Sequence, residues 1–234
     1  MADGSKNKGG SSRTPAGNKA ASERLERERA ERKAARHNTE GGMTKAQRAA
    51  VDKFEQKKQD AKTERIAAID ENGKTLYRST TGTDRHTSIP SHLHLEDTVL
   101  THNHPHARVD SRDMAGRIGN SFSGADLNTA VHFNAKEIRA KTANYVYSMR
   151  RPSGGWNTTP EQAAREWDKA LNEALKRYTG GSSKYHVAAY INAPATHAER
   201  EARANRLNIV VNNAASRAVA KKFGWIYSHQ KLRK

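Results

Sequence analysis

Two histidines at i and i+2, His102 and His104, close a short apolar run, Asp97-Thr-Val-Leu-Thr101. Alternate side chains on a strand leave the same face, so this spacing lets both imidazoles converge on one cation. Pro105 follows at once, stopping the strand and presenting the pair at an edge rather than inside a ladder. Ser121-Phe-Ser-Gly-Ala-Asp126 then supplies a carboxylate at the start of a helix. Two imidazoles and one carboxylate, with a fourth position left for water, make a catalytic zinc set rather than a closed structural one. Such chemistry also needs a carboxylate base that reaches the water without filling the coordination sphere. Glu64, at the opening of the first core strand, is the candidate. The chain has no cysteine, so thiolate ligation and disulfides are excluded and any metal must be held by His and carboxylate.

Each of these residues also has a plainer reading. His102 and His104 could be strand-end histidines without a metal. Ser123 and Asp126 stand at the spacing of a capping box, where an acidic group is favoured at a helix N-terminus in any case. Glu64 could be a solvated charge at a strand start, and Glu71, in a turn, is its rival as base. His92-Leu-His94 is a second His-x-His, but no proline follows it and it sits in a polar connection, which makes it a surface feature.

The elements that must position these groups begin near residue 63. Glu64–Asp70 is a strand candidate, Asn72-Gly73 is a hairpin signal, and Lys74–Ser79 is the returning strand. Asp97–Thr101 leads into the histidines. Ser123–Phe133 reads as a helix, and Lys136–Thr142 with Asn144–Arg150 as a strand pair. Thr159-Pro160 with Gln162 opens a helix that ends before Gly180-Gly181, and Thr196 with Glu199 opens another that runs toward Lys222. Gly224–Tyr227 is a final short strand. Trp156, Trp167 and Trp225 are expected to anchor the C-terminal helices on the sheet, and His132 to be packed or half-exposed on its helix. The fold class that follows is mixed α/β, a small sheet flanked by helices.

Residues 1–62 read as a charged, helical or disordered arm, with the α/β domain occupying 63–234. Residues 1–20 have no periodic apolar face. Ala21–Arg36 alternate Glu and Arg, which favours a helix through i,i+4 pairs but offers nothing to a core. Thr44 with Gln47 opens a second helix reaching about Lys62, with Val51 and Phe54 as its sizeable apolar residues. Of 234 residues, 42 are Lys or Arg and 25 are Asp or Glu, a net charge of +17. That surplus suits a nucleic acid or an acidic partner, reached through the arm. It is spread along the chain, with 16 basic and 9 acidic residues in 1–63, so it marks no recognition module. No run approaches the length of a membrane span, and the N-terminus lacks the apolar stretch of a secretory signal, so neither membrane insertion nor export by that route is expected.

A Glu on an early strand, then His102-x-His104-Pro105 after an apolar strand, then Ser123-x-x-Asp126 opening a helix resembles the pattern of JAMM (JAB1/MPN) metallopeptidases. Leu100-Thr-His-Asn-His-Pro105 with Ser121–Asp126 is most like bacterial and phage members, including the DNA-repair-associated RadC branch and domains of phage head-associated and toxin-like proteins. The likeness covers about residues 63–150, and more faintly the C-terminal helices. It implies a JAB1/MPN-like fold, zinc held by His102, His104 and Asp126, Ser123 as oxyanion donor and Glu64 as general base. The implied activity is hydrolysis of a protein amide bond by a peptidase or isopeptidase, in a bacterial cytoplasm or, if phage-encoded, with a virion.

One departure stands out: 21 residues separate His104 from Asp126, more than the family's interval. His106, Asp110 and Asp113 lie in that stretch. Asp113 is the rival third ligand, and 105–122 reads as a basic lid or substrate loop. Two other functions compete with hydrolysis of a peptide bond. One is a non-enzymatic, nucleic-acid-associated or virion structural protein using the fold without catalysis. The other is a metal-dependent nuclease, suggested by the literal His-Asn-His string.

Overall fold

The computed structural model describes residues 42–58, 61–83, 86–105, 121–142 and 145–232. The tail and charged helix expected over 1–36 lie outside them, as do His106, Asp110 and Asp113.

Six strands form one mixed sheet: β1 Ile66–Ile69, β2 Thr75–Arg78, β3 Val99–Asn103, β4 Glu137–Lys141, β5 Tyr145–Arg150 and β6 Ile226–Lys231. Their order is β2-β1-β3-β4-β5-β6. Only β3 and β4 run parallel. A parallel pair needs a crossover, and the chain between them holds a helix, α2, Gly124–His132. The other described helices are α1 Lys45–Lys58, α3 Pro160–Thr179, α4 Lys184–Asn192 and α5 His197–Phe223. The mixed α/β architecture is therefore as the sequence indicates. None of the described helices is long and apolar enough to cross a membrane.

Strand alternation sorts the sheet into two buried faces. Ala68, Leu100, Ile138, Ala140, Tyr147 and Met149 face the main core, where they meet Leu127 of α2, Trp167 of α3 and Val219 of α5. Trp156 and Trp225 close that core edge to face, at 4.8 Å between ring centroids. The Trp156 indole donates to Ala135 O and the Trp225 indole to Trp156 O, so both buried N–H groups are satisfied. On the other face Ala67, Ile69 and Val99 pack against Val51 and Phe54 of α1.

The second face corrects the expected boundary at residue 63, because α1 belongs to the folded body, which begins at Gly42. The helix starts as its sequence indicates, with the Thr44 hydroxyl accepting from Gln47 N at 3.0 Å. Gln47 does not close a capping box, however; its amide donates to Ile69 O in the sheet. Glu55, on the same helix, is 4% exposed. It takes a two-pronged contact from Arg139 of β4, Nε to Oε1 at 2.7 Å and Nη2 to Oε2 at 3.3 Å. Thr101 donates to the same carboxylate at 3.0 Å, and Arg139 Nη1 donates to Glu137 at 3.0 Å. Burial works against the Arg139 charge, but the two carboxylates outweigh it and hold the guanidinium above its ordinary pKa.

The helix Lys184–Asn192 has no counterpart in the sequence reading, which assigns nothing between Gly181 and Thr196. Its face is narrow: Val187 and Ile191, one turn apart, are what it buries, in a small cluster with Leu175, Leu207 and Val211. β6 is longer than the expected Gly224–Tyr227 and forms the sheet edge beside β5.

Removing one member of a buried ion pair leaves the others uncompensated. Arg139→Ala is therefore expected to lower the unfolding free energy by about 3–5 kcal/mol. Urea unfolding checks this, and a loss below about 1 kcal/mol, the range of an exposed pair, would show that the network does not hold α1 to the sheet.

Candidate metal centre

β1 and β3 pair antiparallel with Ile66 opposite His102. Carried two residues further, that register sets Glu64 across from His104. Period-two alternation puts Glu64, His102 and His104 on one face, the side of the main core. β4 sets Ala140 beside His102, leaving room for the fully buried imidazole. Past the end of β3 the chain stays against β4, with His104 N donating to Lys141 O at 2.7 Å.

The fourth group arrives on α2. Phe122 and Leu127, either side of the helix start, are both buried in the main core and staple the chain where it enters the helix. Ser123 is the N-cap: its hydroxyl accepts from Asp126 N at 3.1 Å, and its own N–H donates to Asp126 Oδ2 at 2.6 Å. The Ser123 hydroxyl proton also goes to Oδ2, at 2.9 Å. The capping box thus uses one carboxylate oxygen. The other, Oδ1, lies 3.4 Å from His102 Nε2.

His102 Nε2 is 2.9 Å from His104 Nε2, with the rings tilted at 58°. Ligand atoms of Glu64, His102 and His104 all lie within 4.8 Å of one another, so these three could hold a metal ion. Two donors on a tetrahedral ion at about 2.0–2.1 Å stand about 3.3 Å apart, close to the two spacings around His102. Two facing Nε2 atoms can share at most one proton, whereas a cation between them would use both lone pairs. His102 Nδ1 is buried without a hydrogen-bond partner, so among the described residues the ring is oriented from its Nε2 side and by packing. The nitrogen and oxygen donors suit a borderline divalent ion.

Glu64 is 8% exposed. Burial pushes its carboxyl up to about 7; His102 works against this and Asp126 adds to it. The structure thus brings together Glu64, His102 and His104, with Asp126 beside His102 and Ser123 bound to Asp126. It leaves His92 and His94 exposed and apart, Glu71 exposed in its turn, and His132 exposed on α2. Asn103, between the two histidines, is the residue of the site that sequence reasoning passed over. It is 1% exposed and bonded to the backbone on both sides of Glu64. An Asn between two ligand candidates was the available signal.

Comparison with protein-family models, with curated proteins and with solved structures finds no match to this chain.

The raised carboxyl makes a prediction for the metal-free protein. A group that binds its proton more tightly when folded lowers stability as pH rises from its unfolded value of 4.5 toward about 7. In chelator, Glu64→Gln should therefore gain melting temperature relative to the parent between about pH 5 and about pH 8. An unchanged difference across that interval would show that burial does not penalise the Glu64 charge.

Proposed function

We propose that this chain is a zinc-dependent peptidase or isopeptidase of the JAMM kind, in which His102, His104 and Asp126 hold the ion and Glu64 is the general base. The observation that carries the reading is the convergence of two imidazoles and two carboxylates with different properties. A ligand carboxylate must be ionised, and a base is most effective with a pKa near the working pH. Glu64, pushed up to about 7, suits the base. Asp126, fixed through Oδ2 by the Ser123 cap and presenting Oδ1 to His102, suits the ligand. A bound zinc ion would polarise the scissile carbonyl and lower the pKa of its water to about 7.

Glu64 takes a proton from the attacking water and returns it to the leaving amine. Ser123, exposed at the helix start, turns its hydroxyl from Asp126 toward the developing oxyanion. The ligand candidates stand at the C-terminal end of β3 and the N-terminal end of α2, with Glu64 just ahead of β1. The substrate is a protein amide. The polyanion-binding alternative draws chiefly on the N-terminal arm, whose residues 1–41 lie outside the described residues.

Purified protein should carry about one zinc per chain, lost when His102→Ala and His104→Ala are combined. Metal retained in that double variant, by elemental analysis, would refute the ligand set. Glu64→Gln should keep its zinc yet lose cleavage of an unbiased peptide library by about 10²–10⁴-fold. Cleavage at the parental rate would remove Glu64 from the mechanism.

A further inference from the structure

We propose that Asn103 is a positioning residue that fixes Glu64 at the metal centre, so that the residue between the two histidines governs the carboxylate opposite them. The inference rests on the metal-site reading above and adds to it how the base is held.

An antiparallel ladder pair normally exchanges two backbone hydrogen bonds. At the pair Arg65 and Asn103 just one is of that kind, Asn103 N to Arg65 O at 3.2 Å. The Arg65 N–H goes instead to the Asn103 side-chain oxygen, at 2.9 Å. The side-chain amide then donates past Glu64 to Thr63 O, at 3.2 Å. Asn103 therefore clamps the backbone immediately before and after Glu64, extending the ladder ahead of Ile66, the first residue of β1. Its side chain lies on the sheet face opposite the two imidazoles, so it does this without entering the site.

A second strap closes from the loop side. Glu64 N donates to Thr83 O at 2.6 Å. Gly82 lies so close that a Cβ there would collide with the Glu64 carbonyl oxygen. Backbone groups on both flanks of Glu64 are thus tied down while its side chain is left to the site. Asn, unlike Asp or Leu, supplies both the acceptor and the donor that this clamp needs. The adjacent ligands and the clamp share one peptide segment, so a shift of His102 or His104 would carry Asn103, and with it Glu64.

Cobalt(II)-loaded full chain, its visible absorption followed against pH, tests this in a double-mutant cycle, because Glu64 faces the metal-bound water and not the metal. Asn103→Ala should keep cobalt affinity within about twofold yet move the pH midpoint of the absorption change by about tenfold in proton concentration, toward that of Glu64→Gln. In the Glu64→Gln background the same substitution should move that midpoint by less than about twofold. Asn103→Asp, which keeps the acceptor for Arg65 N and loses the donor to Thr63 O, should fall between, and it carries the cycle if the alanine variant does not fold. Equal shifts in both backgrounds, or no shift in either, overturn the positioning role while leaving the metal site standing. A parent protein that binds no cobalt overturns the metal-site reading and this one together.

Discussion

The register between β1 and β3 is the constraint on which the candidate site depends. With Ile66 opposite His102, Glu64 comes opposite His104, and the three polar side chains share a face. A slip of one residue would turn Glu64 to the α1 side and bring Arg65, a cation, up to the imidazoles. Apolar packing secures the register on both faces, since Ala68 meets one core while Ala67 and Ile69 meet the other. A buried strand with two apolar faces has little freedom to slide. The polar end of β1 inherits a position that the apolar part has already decided.

The reverse side of the sheet holds β3 in place by different means. There Arg139, Glu55 and Glu137 form a buried ionic network, and Thr101, next to His102 in the chain, donates into it. Buried charge is weak evidence for net stability, because desolvation offsets much of the attraction. Its geometric demand is strict, however, and a two-pronged guanidinium contact sets one orientation of α1 over β3 and β4. β3 therefore has an orienting polar contact on one face and the imidazoles on the other.

Asp126 shows how a structural role and a chemical role can share one side chain. Oδ2 closes the helix cap and accepts from both the Ser123 N–H and its hydroxyl, while Oδ1 faces His102. A capped carboxylate at a helix N-terminus is held in one rotamer, which suits a ligand. Glu64 is set apart by burial, which pushes its carboxyl up to about 7. Two carboxylates near one histidine are thus differentiated by their surroundings alone.

What the sequence determined by itself was local: the alternation that sends His102 and His104 to one side, the Asn72-Gly73 hairpin, the caps at Ser123, Thr159 and Thr196, and the mixed α/β class. These depend on residues within a few positions of one another, so a short window holds the whole physical cause. The tertiary structure decided what depends on long-range pairing. It placed Glu64 rather than Glu71 beside the histidines through the β1–β3 register, and it made Glu55 the buried partner of Arg139, 84 residues away. It drew α1 into the core on the strength of Val51 and Phe54, too few apolar residues to announce themselves in a basic segment. Asn103 belongs to the same class, because its meaning lies in the backbone of a strand nearly forty positions earlier, and no local pattern can specify that neighbour.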